Sequence, residues 1–202
     1  LIGANQNSDG GRYAGKSYLI LGSSLGSSST IDLSLADYSF IGENAGNKSG
    51  YSVSSAGDVN GDGLDDLLIG AYQNFDGGNG AGKTYLVLGS SLGSNSTIDL
   101  STADYSFIGE ALDQFGYSVS SAGDVDGDGL DDLLIGAFVN DDGGNAAGKS
   151  YLILGSSLGL SSTIDLSTAD YSFIGENAGD WSGVSVSSAG DVDGDGLDDV
   201  LI

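Results

Sequence analysis

Apolar residues along this chain fall into short runs separated by glycine-rich and polar stretches, and the pattern recurs three times. "YSVSSAGDV" at 51–59 alternates valine with serine, which suits a half-covered strand. "DLLIGA" at 66–71 is continuously apolar over a strand's length, as expected for a strand buried on both faces. "GKTYLVLG" at 82–89 predicts a third strand, reached through the glycine turn "NFDGGNGAG". "ADYSFIGE" at 103–110 predicts a fourth, with the polar "SSLGSNSTIDLST" read as its connection. Apart from a single turn near "SLADYS", no segment has helical period and length.

The recurrence is close. "LIGA" stands at 1–4, 68–71 and 134–137, and "LI" returns at 201–202, giving spacings of 67, 66 and 67. "DYSFIGE" begins at 37, 104 and 170, and "SVSSAGD" at 52, 118 and 185. Three units, 1–67, 68–133 and 134–200, fill the chain as a single repeat domain. A four-stranded unit that must stack on copies of itself predicts an all-β fold, a β-propeller of four-stranded antiparallel blades with three blade repeats per chain. With "YSVSSAGDV" innermost, residues 51–110 and 117–176 make complete blades. A third is split between 184–202 and 1–43. Three blades do not easily close a ring, so the expected partner is a second copy: a homodimer whose six blades surround a two-fold axis. Deliberate trimming or an engineered origin, with no role beyond folding and metal binding, is the competing reading of such regular units.

Charge sharpens this picture. The 202 residues hold 29 Asp and Glu against 5 Lys and Arg, a formal net charge of −24, with no His, Cys, Met or Pro. That acidity excludes nucleic acid as a partner, because phosphates would be repelled. No apolar run approaches the ~18 residues that would insert in a membrane. Thiolate chemistry and histidine ligation are absent with their residues.

Fourteen of the acidic residues lie in three nine-residue stretches: "DVNGDGLDD" at 58–66 and "DVDGDGLDD" at 124–132 and 191–199. Crowded carboxylates repel one another and resist burial unless something positive sits among them. Counting from the first residue, positions 1, 3, 5 and 9 offer Asp58, Asn60, Asp62 and Asp66, and position 7 the Leu64 carbonyl. The second stretch offers Asp124, Asp126, Asp128 and Asp132 with Leu130, the third Asp191, Asp193, Asp195 and Asp199 with Leu197. Many hard, anionic oxygens on a glycine-containing turn select Ca²⁺ over Mg²⁺, about three ions per chain. Position 12 is Ile69, Ile135 or Ile202 rather than glutamate, so the loop joins strands and is no EF-hand. Asp65, Asp131 and Asp198, at position 8, are expected to turn outward or stand just behind the ligands.

"SVSSAGDVDGDGLDDLLIGA" resembles the FG-GAP repeat of integrin α-subunit propellers and their bacterial relatives. The literal "FG" survives only as Phe115-Gly116, and "GAP" becomes Gly-Ala followed by Asn5, Tyr72 or Phe138. The resemblance implies Ca²⁺ in the hairpin between the first two strands of a blade, and a calcium-binding scaffold for adhesion or protein interaction. No enzyme is expected, because the acids are accounted for by loops repeated in every unit and an active site usually breaks such symmetry. The expected location is outside the cell or at its surface, with any export signal outside this stretch. A carbohydrate-binding propeller is the alternative, so a protein or a glycan is the expected ligand besides the chain itself.

Other motifs carry less. "GGNGAGKT" at 77–84, with kin at 10–17 and 143–150, fits a phosphate-loop pattern, but a strand follows where a helix would be needed. Lys16, Lys83 and Lys149 are expected to lie along hairpins and offset nearby acids. Asn47-Lys48-Ser49 and Asn95-Ser96-Thr97 match glycosylation acceptors. Recurrent Tyr and Phe are expected between blades. Arg12, Tyr13, Phe75, Phe115 and Trp181, which break the repeat, are candidates for a surface role.

Overall fold

The computed structural model describes residues 1–26 and 29–202. The described residues form fifteen strands, in chain order β1 (Ile2–Ala4), β2 (Lys16–Leu19), β3 (Tyr38–Ile41), β4 (Ser52–Gly57), β5 (Asp66–Ala71), β6 (Lys83–Val87), β7 (Thr97–Asp99) and β8 (Tyr105–Ile108). Then come β9 (Ser118–Gly123), β10 (Asp132–Ala137), β11 (Lys149–Ile153), β12 (Thr163–Asp165), β13 (Tyr171–Ile174), β14 (Ser187–Gly190) and β15 (Asp199–Leu201). The described residues contain no α-helix; short 3₁₀ turns such as Leu33–Leu35 are the helical elements.

Strands β4, β5, β6 and β8 pair antiparallel in that order, and β9, β10, β11 and β13 repeat the arrangement. The same plan is divided at the ends of the array, with β1, β2 and β3 in one sheet and β14 and β15 in another. The fold is all-β, built of repeated four-stranded antiparallel sheets stacked as propeller blades, and the ring is open. Inner strands β4, β9 and β14 stand side by side in that order.

The connection between the third and fourth strands departs from its polar reading. Thr97–Asp99 is a strand, β7, and it pairs in parallel with β3 of the preceding blade: Ser39 opposite Thr97, Phe40 opposite Ile98, Ile41 opposite Asp99. β12 does the same to β8, with Phe107 opposite Ile164. Each blade thus lends a three-residue strand to its neighbour's outer edge, satisfying backbone groups that an edge strand would otherwise leave open. One apolar residue between two polar ones is too short a signal to read as a strand alone.

The core lies between the blades. Alternate side chains of a central strand enter opposite interfaces: Leu67 and Ile69 pack with Phe40, Tyr85 and Leu100, whereas Leu68 joins Phe107, Phe115, Leu133, Ile135 and Tyr151. This explains the continuously apolar "DLLIGA", since neither face of β5 or β10 sees water. Recurrent aromatics fill these interfaces, Phe40, Tyr85 and Phe107 being fully buried. Phe115 belongs with them. Expected at the surface, it is fully buried and meets the Tyr151 ring edge-on at 5.6 Å. Tyr13, Phe75 and Trp181 are exposed, as is Arg12.

Candidate metal centre

The three acidic stretches are the loops joining β4 to β5, β9 to β10 and β14 to β15. Each begins with an aspartate that folds the loop around itself. Asp58 accepts from the amides of Gly61 (2.8 Å) and Asp62 (3.0 Å) on Oδ1, and from Gly63 (2.8 Å) on Oδ2. Asp124 takes Gly127, Asp128 and Gly129, and Asp191 takes Gly194, Asp195 and Gly196. The turn needs backbone in the left-handed region twice, supplied by Gly61 (φ 74°) and Gly63 (φ 85°). Positions 3 and 5 add Asx turns, Asp126 Oδ1 accepting from Asp128 N and Asp128 Oδ1 from Leu130 N.

This winding brings the carboxylates together. Asp124, Asp126 and Asp128 offer oxygens within 4.8 Å of one another, and so do Asp191, Asp193 and Asp195. In the first loop Asn60 replaces the middle acid and donates from Nδ2 to Asp62 Oδ2 at 3.1 Å. Bonds from Ser90 and Asn60 hold the Asp62 carboxyl below its ordinary range. Leu64 and Leu197 expose their side chains; Leu130 is half-buried, close to Gly61 of the neighbouring loop.

The position-9 aspartates stand apart from these trios. Asp66 is fully buried, accepting from Val59 N (3.2 Å) on Oδ2 and Gly89 N (2.8 Å) on Oδ1. Asp132 repeats this with Val125 and Gly155, and Asp199 accepts from Val192. These carboxylates tie the loop to the end of the third strand. Burial raises both Asp66 and Asp132, the latter to about 6. Asp131 and Asp198 do not face outward: each accepts, through Oδ2, the backbone amide that opens the neighbouring loop, Asp58 N at 2.8 Å and Asp124 N at 3.0 Å.

The donor set fits a hard divalent cation. It is all oxygen and strongly anionic, and the ion pairs among the described residues, Lys16–Asp9, Lys83–Glu43, Lys83–Asp76 and Lys149–Asp142, leave every loop carboxylate without a cationic side chain. Those same pairs account for the lysines of the phosphate-loop-like stretches, which lead into strands β2, β6 and β11.

A family model described as "FG-GAP repeat" matches residues 49–87 and 115–153, which carry the first three strands and acidic loop of each four-stranded sheet. Two of the units are FG-GAP repeats. Among curated proteins the chain is 41% identical to integrin alpha-5 of Xenopus laevis over 106 residues, 50% of this chain and 9% of that protein. It is 34% identical to integrin alpha-PS2 of Drosophila melanogaster over 128 residues, 60% of the chain and 9% of the relative. Against integrin alpha-4 of Xenopus laevis it is 32% identical over 162 residues, 80% of the chain and 15% of the relative. The chain thus spans a small part of each relative's length, and its architecture is that of an integrin α-like propeller.

One further feature escaped the sequence reading. At the end of the blades opposite the acidic loops, Tyr51, Tyr72, Tyr117, Phe138 and Trp181 form a continuous row, with neighbouring ring centroids 4.3–6.2 Å apart. Tyr51 Oη donates to Tyr117 Oη at 2.7 Å, and Lys48 Nζ donates to Tyr72 Oη at 3.1 Å. Tyr51, Tyr72, Tyr117 and Phe138 flank β4, β5, β9 and β10, and Trp181 lies between β13 and β14, so only stacking of the sheets aligns them. Asn47, a formal glycosylation acceptor, is 1% exposed and presents no surface for modification.

Proposed function

We propose that this is a calcium-binding, non-catalytic propeller module that serves as an adhesion or protein-interaction scaffold outside the cell. The observation that carries the reading is the convergence of Asp124, Asp126 and Asp128, repeated in Asp191, Asp193 and Asp195, on loops braced against one another. Ca²⁺ would be held by these trios and by Asp58, Asn60 and Asp62 in the first loop. Asp66, Asp132 and Asp199, with the carbonyls of Leu64, Leu130 and Leu197, are the remaining donors in the proposal. The ion supplies charge neutralisation rather than reactivity, and so holds three acidic hairpins at one end of the stack. The aromatic row at the other end, buried at Tyr72 but 40% exposed at Tyr51 and 54% exposed at Trp181, supports an interaction surface for a protein partner. The described residues contain no helix long and apolar enough to cross a membrane.

The proposal includes a second copy of the chain, whose β1–β3 would complete the sheet begun by β14 and β15, making six blades from two chains. Calcium titration followed by calorimetry tests the metal reading. A site at 100 times its dissociation constant adds about 2.7 kcal/mol to stability, so melting temperature should rise with calcium and fall on chelation. An unchanged melt, with the metal content verified, would remove calcium from the account.

A further inference from the structure

Residues with the same neighbours in sequence have different surroundings depending on which blade they occupy. Ile69 and Ile135 are fully buried, whereas Ile2, at the same repeat position, is 43% exposed. Tyr38 and Tyr105 are half-buried on the outer strands β3 and β8, whereas Tyr171 on β13 is 56% exposed. The difference lies in what covers the edge. β3 carries β7 and β8 carries β12, but β13 is the outermost strand of its sheet. The segment that would match β7 and β12 is Thr30-Ile31-Asp32, which is not in a strand and leaves Ile31 40% exposed.

We propose that the outer edge of β13 is the docking site for residues 30–32 of a second copy, added as a parallel strand. This rests on the two-chain ring and specifies how it is held. The register follows from the two junctions inside the chain. Ser39–Thr97 and Ser106–Thr163 become Ser172 opposite Thr30 of the second copy, and Phe40–Ile98 and Phe107–Ile164 become Phe173 opposite Ile31. Both internal junctions also anchor the strand through a backbone bond, Ser39 N donating to Ser96 O and Ser106 N to Ser162 O, each at 2.8 Å. Ser172 N is the equivalent donor on β13.

The side chains beside the edge complement one another in the same way. At the first internal junction Glu43, just after β3, reaches Lys83 of the next blade at 3.0 Å. At the second, Asp113 accepts from Asn140 Nδ2 at 2.7 Å. The open junction holds the partners of both kinds: Glu176 and Asp180 follow β13, and Lys16 and Asn7 stand at the positions of Lys83 and Asn140. Glu176 and Asp180 are exposed, Asp180 accepting within the chain from Asn177 N and Nδ2, and among the described residues the ion-pair partner of Lys16 is the exposed Asp9. In a chain of net charge −24, two copies would repel broadly. A lysine meeting a glutamate beside a hydrogen-bonded edge gives their approach a single register.

The absence of cysteine makes the register directly measurable. Chains carrying Thr30→Cys and chains carrying Ser172→Cys are mixed in calcium and oxidised; a T30C–S172C disulfide between copies is expected as the dominant product. The in-chain control is the Ser39→Cys, Thr97→Cys pair, whose native hydroxyls lie 3.4 Å apart and which should close within one chain. Dimers by native mass without the cross-link, while the control closes, would overturn strand addition and leave the ring standing. A monomer at all concentrations in calcium would overturn both. In a second arm, Ile31→Asp, at an already exposed site, should leave the monomer's melt unchanged and weaken dimerisation by about tenfold or more. Unaltered dimerisation of that variant would also overturn the proposal.

Discussion

Asp131 and Asp58 clasp each other's backbone across two blades: the Asp58 amide donates to Asp131 Oδ2 at 2.8 Å, and the Asp131 amide donates to the Asp58 carbonyl at 3.1 Å. Asp198 and Asp124 repeat the clasp one blade on, at 3.0 Å for both bonds. An acidic loop is therefore held in place by the loop beside it. Asp131→Ala should destabilise the chain by about 1–3 kcal/mol, because it leaves the half-buried Asp58 amide without its acceptor. Denaturant titration of the calcium-free protein reads this without the ion's contribution, and a loss below ~0.5 kcal/mol would show the clasp to be incidental.

Glycine at 57 is the counterpart of that clasp. Its φ of 74° disfavours a side chain, and a Cβ would fall 2.2 Å from Asp131 Oδ2. Gly190 has nearly the same backbone, at φ 68°, but nothing within 4 Å of a Cβ. Gly57→Ala and Gly190→Ala share the backbone strain of about 1 kcal/mol. The Gly57 variant should lose at least about 1 kcal/mol more, since a carboxylate must move. Equal losses in the dilute monomer would contradict this packing.

The first loop differs from its siblings by one charge. Asn60→Asp should tighten calcium binding at that loop about tenfold, equivalent to about 1.4 kcal/mol, by supplying the anion the other loops have at position 3. It should also lower stability without calcium, since Asp58 and Asp62 gain an unpaired neighbour. Isothermal titration and a calcium-free melt together test both signs. A variant that binds no tighter would mean that position 3 does not ligate.

Asp113 gives the chain a pH signature. It is 7% exposed, and burial pushes its carboxyl from 3.8 to about 6 despite the bond from Asn140. The folded chain therefore holds this proton more tightly than the unfolded one. Its effect is a loss of stability as pH rises from about 4 to about 6, with no further change above that. Asp113→Asn keeps an acceptor for Asn140 and should abolish this component, raising stability at pH 7 by about 1–3 kcal/mol relative to the parent. Superimposable pH–stability curves for the two proteins would refute it.

Among the described residues Lys83 is the one lysine shared by two acids, Glu43 from the preceding blade at 3.0 Å and Asp76 at 2.8 Å. Its side chain is 8% exposed and that of Glu43 12%, so Lys83→Met should strand a nearly buried carboxylate. A loss of about 2–4 kcal/mol is expected, against less than ~1 kcal/mol for Lys16→Met, whose partner Asp9 is exposed. Thermal melts of the two variants in calcium-free buffer give the comparison.

Much of this protein is local, and so legible in the order of its residues. "SVSSAGD", the acidic stretch and "DLLIGA" state strand, turn and doubly buried strand, because side-chain alternation, positive-φ glycines and continuous apolarity each act within a few residues. The same holds for the aspartate trios, which one loop assembles by bonding its carboxylates to its own amides. What the tertiary structure decided is whatever depends on the neighbouring blade. Phe115 is core rather than surface because it packs with Leu68 and Phe107 of one blade and Tyr151 of the next, and Asp131 is a clasp because its neighbour's loop lies within reach. Thr97–Asp99 became a strand because β3 presents an open edge. Three near-identical units have nearly identical local preferences, so differences between their equivalent residues come from what is packed against them, and packing partners some 66 residues away leave no mark on a short stretch of sequence.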